Sequence, residues 1–123
     1  MNTESKTEKV DEYLEDWIEH LPELLDPNSK LVLLSVILSI KKRKRKTVKT
    51  LDVLKEYLEI VRKIGWKDFE KDARVNVEYG LKRLRELRIL RVTSYTEWRY
   101  KPEYDIEVLS SVLKKDSLLS PFL

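Results

Sequence analysis

The chain has 123 residues, the length of one domain, and a domain of that size can hold itself together with a single hydrophobic core and no staple. It contains no cysteine, which excludes disulfides, thiolate metal sites and thiol catalysis. Its net charge of +3 conceals a steep gradient: residues 1–28 sum to −7, residues 29–101 to +12 and residues 102–123 to −2. A basic middle between acidic ends sets up a directed field that draws polyanions.

Residues 1–9 are polar and mixed in charge, and a disordered tail is expected there. No apolar run follows a basic stretch, so the chain is expected to lack a secretory signal and to be cytoplasmic. From residue 10 to 123 it reads as a single domain. The first helix is predicted over Val10–Leu25, with Tyr13, Leu14, Trp17, Ile18 and Leu21 at helical spacing. Pro22 should end or kink it near His20. Asp26-Pro27-Asn28-Ser29 signals a turn. A second helix, Lys30–Lys41, is apolar nearly all round and belongs at the centre of the core. Its apolar run, Leu31–Ile40, is far short of the ~20 residues that span a bilayer, so no membrane partner is expected.

The run KKRKRK, Lys41–Lys46, follows. Six adjacent cations repel one another, so a loop that does not pack internally is expected. Thr47-Val48-Lys49 is short and β-capable, and Thr50 can cap a third helix, Leu51–Ile64. Leu54, Leu58 and Val61 form its predicted inner stripe, with Leu51 and Tyr57 beside it, and Gly65 suits its C-terminal stop. A connector over Trp66–Arg74, with a helical turn at Asp68–Asp72, leads to a fourth helix, Val77–Arg88. There Val77, Leu81, Leu84 and Leu87 should face inward, and Tyr79, Lys82, Arg83 and Glu86 outward. Gly80 costs a helix roughly 1 kcal/mol relative to alanine and points to close packing of the third helix on the fourth.

The apolar period then changes from 3.6 to 2. Ile89–Ser94 and Glu97–Lys101 alternate like strands joined at Tyr95-Thr96, and Pro102 should end the second. Asp105 can cap a last helix, Ile106–Lys115, with Val108, Leu109, Val112 and Leu113 apolar, and the tail LLSPFL can pack back on the body. This order of elements is that of a winged helix-turn-helix, mainly α with a small β-hairpin, carrying an extra N-terminal helix.

In such a fold the helix before the hairpin enters the major groove of double-stranded DNA and the hairpin touches backbone or minor groove. Lys82 and Arg83 can reach phosphates or guanine acceptors. Tyr79 can stack on a sugar or donate to a phosphate, and Arg74 and Arg85 border the exposed face. Asn76 can contact a base edge, although capping the helix is its plainer use. Arg91 on one strand and Arg99 on the other are candidate wing contacts, and Trp98 and Tyr100 read as core rather than as stacking platforms. Lys41, Lys42, Arg43, Lys44, Arg45 and Lys46 form the densest cation cluster, with three readings: a phosphate contact gaining from counterion release, a nuclear-import signal, or a solvated loop. No enzyme is expected, and no cofactor, metal or small-molecule ligand. One histidine cannot build the usual zinc site, two glycines cannot build a phosphate loop, and the carboxylates form no acid–base set. Abundant Lys, Glu and Arg with no glutamine is a thermophile's composition. The rival reading is a protein-interaction adaptor. If Tyr13, Leu14, Trp17 and Ile18 are not covered by the chain's own core, they form a partner or homodimer surface.

Four segments, LPELLDPNSKLVLLSVI, VLKEYLEIVRKIGW, VNVEYGLKRLRELRILRV and YDIEVLSSVLKKD, together resemble the C-terminal winged-helix domain of archaeal origin-recognition replication initiators, without that family's ATPase module. The resemblance implies origin-type duplex binding, with Lys82, Arg83, Arg91 and Arg99 inheriting the contacts, and a role in replication or transcription regulation. Two departures stand out: the wing lacks the family's usual glycine, and Arg88 stands where a glycine commonly precedes the strand.

Overall fold

The computed structural model describes residues 17–123. The tail expected over residues 1–9, the start of the first helix at Val10, and Tyr13 and Leu14 lie outside the described residues. Residues 17–19 are helical, the chain turns at His20, and a separate short helix, α1 (Leu21–Leu24), follows with Pro22 in its first turn. The helix expected over Val10–Leu25 thus breaks at His20, as Pro22 suggested, because proline lacks its donor and constrains the preceding residue.

Helix α2 (Pro27–Arg43) exceeds its predicted span at both ends. Asp26-Pro27-Asn28-Ser29 is not a free turn. The Asp26 carboxylate accepts from the Ser29 N–H at 3.2 Å, and Pro27 opens the helix at a position where its missing N–H costs nothing. At the other end the basic run continues the helix to Arg43, and Lys44 closes it in the left-handed region at φ 52°. Leu31, Val32, Leu33, Leu34, Val36 and Ile37 are all buried, because α2 is enclosed by the other helices. In that interior the Ser35 hydroxyl donates to the Leu31 carbonyl at 2.7 Å, which satisfies a polar group that would otherwise be costly to bury.

Strand β1 (Val48–Lys49) leads directly into α3 (Thr50–Ile64). Lys49, not Thr50, occupies the N-cap position, and its N–H donates to the Asp52 carboxylate at 3.4 Å. The buried face of α3 is Val53, Tyr57, Ile60 and Val61, with Glu56 among them. Leu54 and Leu58 are only half-buried and Leu51 is 68% exposed. Val61 and Tyr57 are thus buried as expected, whereas Leu54 and Leu58 give way to Val53 and Ile60 as Glu56 turns inward to meet cations at the end of α2. Gly65, at φ 84°, ends α3 as its position suggested. A single-turn helix, α4 (Lys67–Lys71), carries Phe69 edge-on to Trp66 at 4.9 Å.

Helix α5 (Ala73–Glu86) begins at Ala73 rather than Val77. Ala73, Val77, Gly80, Leu81 and Leu84 are buried, and Leu87 only partly. A Cβ at Gly80 would lie 2.7 Å from Val32 Cβ and closer still to its Cγ2, so the close approach that glycine permits is to α2 and not, as expected, to α3. Arg88 reverses the chain at φ 60° into β2 (Leu90–Ser94), which pairs with β3 (Arg99–Pro102). The sheet is antiparallel, in the order β1-β3-β2, with Val48 and Val92 both opposite Tyr100 and a bulge between Val92 and Ser94. Strand β3, which carries Arg99 and Lys101, is therefore central and β2 is an edge. Pro102 lies within β3 opposite Leu90.

Asp105 caps α6 (Ile106–Leu113) by accepting from the Glu107 N–H at 2.7 Å. Leu109, Val112 and Leu113 are buried, whereas Val108 is exposed. The C-terminal segment returns to the body. Leu119 is buried, Phe122 and Leu123 pack on the core, and Asp116 pairs with Lys30 at the start of α2 at 2.7 Å. Burial alone would raise the Asp116 pKa, but the Lys30 ammonium and the Leu118 and Leu119 N–H groups hold it below the usual carboxylate value. The buried side chains from Ile18 to Leu119 form one cluster. The chain is mostly helical with a small three-stranded antiparallel sheet. Among the described residues no helix is long and apolar enough to cross a membrane.

Candidate nucleic-acid interface

Helix α5 presents its polar side to solvent along two adjoining strips. Arg74, Glu78, Lys82 and Arg85 follow one another at helical spacing and line a groove of about 700 Å³. Its opposite walls are Lys49 and Leu51 at the start of α3 and Trp98 of the β2–β3 turn. The second strip holds Val75, Tyr79, Arg83 and Glu86, with Tyr79 at 72% exposure. Because α5 is anchored by its other face against α2, both strips stay open.

A second concavity, of about 680 Å³, runs along the β2 edge and is lined by Arg85, Arg88, Arg91, Tyr95 and Tyr104, with Glu103 the one acid. Arg85 lines both spaces. Lys82, Arg85 and Arg88, at successive steps of three residues, therefore form a band that passes from the helix face around the base of the hairpin.

The ion pairs decide which cations are available to an external anion. Arg74 lies 3.9 Å from Glu78, Arg83 3.7 Å from Glu86 and Arg91 3.0 Å from Glu103, and Arg99 is bonded to Glu97. The Arg99 guanidinium lowers the Glu97 pKa. Pairs this close to solvent add little stability, but they neutralise Arg74, Arg83, Arg91 and Arg99 among the cations first singled out. Lys82, Arg85 and Arg88 are exposed and have no carboxylate partner among the described residues.

The KKRKRK run divides in two. Lys41, Lys42 and Arg43 form the last turn of α2. Lys42 reaches Glu56 at 2.8 Å and Glu59 at 3.4 Å, Arg43 reaches Asp52 and Glu56 at 3.4 Å each, and Lys41 lies 3.8 Å from Glu107. The hydrogen bond from Lys42 to Glu56 raises the Lys42 pKa. The expectation that the whole run would stay unpacked is thus overturned for its first half. Glu56 is a buried carboxylate and must be matched by positive charge. Lys44, Arg45 and Lys46 remain exposed without carboxylate partners among the described residues. Lys46 is three steps along the chain from Lys49 in the groove wall, at most ~11 Å when extended.

Asn76 is neither a cap nor free to read a base. It lies inside the first turn of α5, where its amide donates to the Phe69 carbonyl at 3.3 Å and its backbone carbonyl accepts from Asn28 at 2.8 Å. Asn28 in turn accepts from the Tyr57 hydroxyl at 2.7 Å. Burial pushes the Tyr57 phenol up to about 12, so it stays a donor at any ordinary pH. This chain of bonds ties the start of α5 to α2, α3 and α4. Of the proposed partner stripe, Ile18 is 3% exposed and belongs to the core, and Trp17 packs against it; the chain's own body covers this part of the stripe.

From sequence alone Lys49 has no site role, Arg85 lies only at the border of the exposed face, Arg88 is noted only as standing where a glycine commonly precedes the strand, and Trp98 is assigned to the core. The three-residue spacing of Lys82, Arg85 and Arg88 was a visible signal. Exposure of Trp98 was not, since an alternating strand pattern places its ring inward. Among the described residues no cluster of three or more His, Asp or Glu side chains is arranged to hold a metal ion. No protein-family model matches the chain, and comparison with curated proteins finds no match.

Proposed function

We propose that the chain is a winged-helix protein that binds double-stranded DNA without catalysing a reaction, with α5 in the major groove and the β2–β3 ribbon against the backbone or minor groove. The observation that carries this reading is the band Lys82, Arg85 and Arg88, without carboxylate partners among the described residues, on an exposed helix that adjoins the sheet. Support also comes from the element order and the strand order β1-β3-β2, which fit a three-helix unit followed by a wing. An unpaired cation band releases counterions when it meets phosphates, so affinity should fall steeply with salt. A regulator of transcription or a replication accessory factor would use such a surface. The adaptor reading loses ground because Ile18 is buried in the chain's own core.

The test is a fluorescence-anisotropy titration of a labelled duplex at several salt concentrations. Replacing Lys82, Arg85 and Arg88 together with alanine should flatten the log–log salt slope by about 2.7, at ~0.9 for each phosphate no longer neutralised. Arg83→Ala should change the slope less, because Glu86 already shares its charge. Wild-type affinity independent of salt would end the proposal.

A further inference from the structure

The turn between β2 and β3 carries two aromatic rings that the core does not absorb. Tyr95 is 68% exposed and Trp98 47%, and they stand edge to face with centroids 5.9 Å apart. Trp98 has φ 52°, a left-handed conformation that a bulky residue adopts only under local constraint. The turn supplies that constraint through the Glu97 N–H donating to Ser94 Oγ at 3.2 Å and the Ser94–Thr96 hydroxyl contact at 3.1 Å. Neither burial nor backbone preference accounts for tryptophan here, where glycine would be relaxed. Strain of this kind collects at binding sites.

The cations give the rings their context. Trp98 lines the groove that holds Lys82 and Arg85, and Tyr95 lines the space along the β2 edge that holds Arg88 and Arg91. Aromatic platforms flanked by a cation track suit nucleic acid whose bases are not paired, because rings accept the face of any base while the cations follow the phosphates. Within a duplex those faces are already stacked on one another and are not offered.

We propose that the Tyr95–Trp98 pair is a stacking site for unpaired DNA bases, so that the favoured ligand is a duplex that opens into single strand, such as a fork or an overhang. This inference rests on the duplex-binding reading and names the substrate of the same surface.

The experiment compares affinities for a blunt duplex, the same duplex with a single-stranded arm, and the arm alone, using wild type, Trp98→Ala, Tyr95→Ala and Trp98→Phe. The forked substrate should bind more tightly than the blunt one by roughly 5- to 150-fold, the range for one stacked base. Trp98→Ala and Tyr95→Ala should lose that preference, lowering affinity for the forked substrate more than for the blunt duplex. Trp98→Phe should keep most of it. The arm should also quench tryptophan fluorescence in wild type but not in Trp98→Phe, since Trp17 and Trp66 are half-buried. Equal binding of fork and blunt duplex, or a loss in Trp98→Ala that is the same for both, overturns the stacking site and leaves duplex binding standing. Binding of the arm with no binding of the duplex overturns the duplex reading and supports the stacking site, and no binding of any substrate overturns both.

Discussion

Replacing Gly80 with alanine tests how α5 is held. In an open helix the change would stabilise by roughly 1 kcal/mol, because glycine is the poorer helix former. Here the new Cβ would meet Val32 Cβ at 2.7 Å and its Cγ2 nearer still, about an ångström or more inside the ~3.5–4.0 Å at which carbon atoms rest. Val32 is 0% exposed, so it has no solvent to swing into, and a helical valine has one strongly preferred rotamer. The two helices must separate or distort, a cost of ~1–3 kcal/mol or more for overpacking a full core. The net expectation is destabilisation of about 2 kcal/mol, read as a lower urea midpoint at unchanged slope. Val32→Ala alone removes two buried carbons, about 1.6 kcal/mol of transfer free energy plus a cavity term. The pair together should recover at least ~1 kcal/mol relative to the sum, because the methyl added at position 80 fills space left by the valine. A Gly80→Ala variant as stable as wild type, or a double mutant whose losses simply add, would refute the packing argument.

Glu56→Gln keeps the shape of a buried side chain while removing the charge that faces Lys42 and Arg43. Both cations keep a second acidic neighbour, in Glu59 and Asp52, so the cost should be about 1–2 kcal/mol rather than the ~3–5 of a stranded buried charge, measured by urea unfolding at neutral pH. The Lys30–Asp116 pair makes a pH prediction. The Asp116 pKa is lowered in the folded chain, so its contribution is present above the ordinary aspartate value of 3.8 and is lost as pH falls through the folded value. Asp116→Asn should therefore be less stable than wild type by ~1 kcal/mol at pH 7, with the gap closing below about pH 4. A gap that does not change with pH would assign the difference to packing.

Much of the fold follows from local signals. The apolar run Leu31–Ile40, the Gly65 stop, the Asp105 cap and the change of period at Ile89 each place an element within a few residues. What local reading misplaced came from contacts between distant segments. Leu54 and Leu58 looked like the core of α3, but Glu56 turns inward to meet Lys42 and Arg43, a pairing between residues thirteen and fourteen apart. Gly80 announced a close approach without naming its partner. Asn76 looked like a cap, yet α5 begins ahead of it, because Asn76 is held by bonds to Phe69 and Asn28. The interface was legible as a region but not residue by residue. Net charge located the basic middle, but only distances between side chains separate Arg83 and Arg99, which are matched, from Arg85 and Arg88, which have no acid beside them among the described residues.

The pattern of matching itself bears on function. Glu78 precedes Lys82 by four residues, the spacing and direction in which an acid best supports a lysine on a helix, at ~0.3–0.5 kcal/mol. Its carboxylate instead lies 3.9 Å from Arg74, and Lys82 is left with Arg85 one step along the same face. Two like charges so placed cost the helix a few tenths of a kcal/mol, and Arg88 extends the series in a left-handed conformation that glycine would adopt more cheaply. Each choice lowers stability slightly, and together they align positive charge across the junction of helix and ribbon. An external row of phosphates would recover that cost under the proposed function, because the repulsion that opposes folding would become attraction once counterions leave the anion's surface. Cations near the core follow the opposite rule. Lys42 and Arg43 are held by Glu56, where leaving charge unmatched would cost several kcal/mol. The chain thus matches positive charge where burial makes mismatch expensive, and among the described residues it leaves Lys82, Arg85 and Arg88 open where solvent makes mismatch cheap, beside the helix face and the turn aromatics.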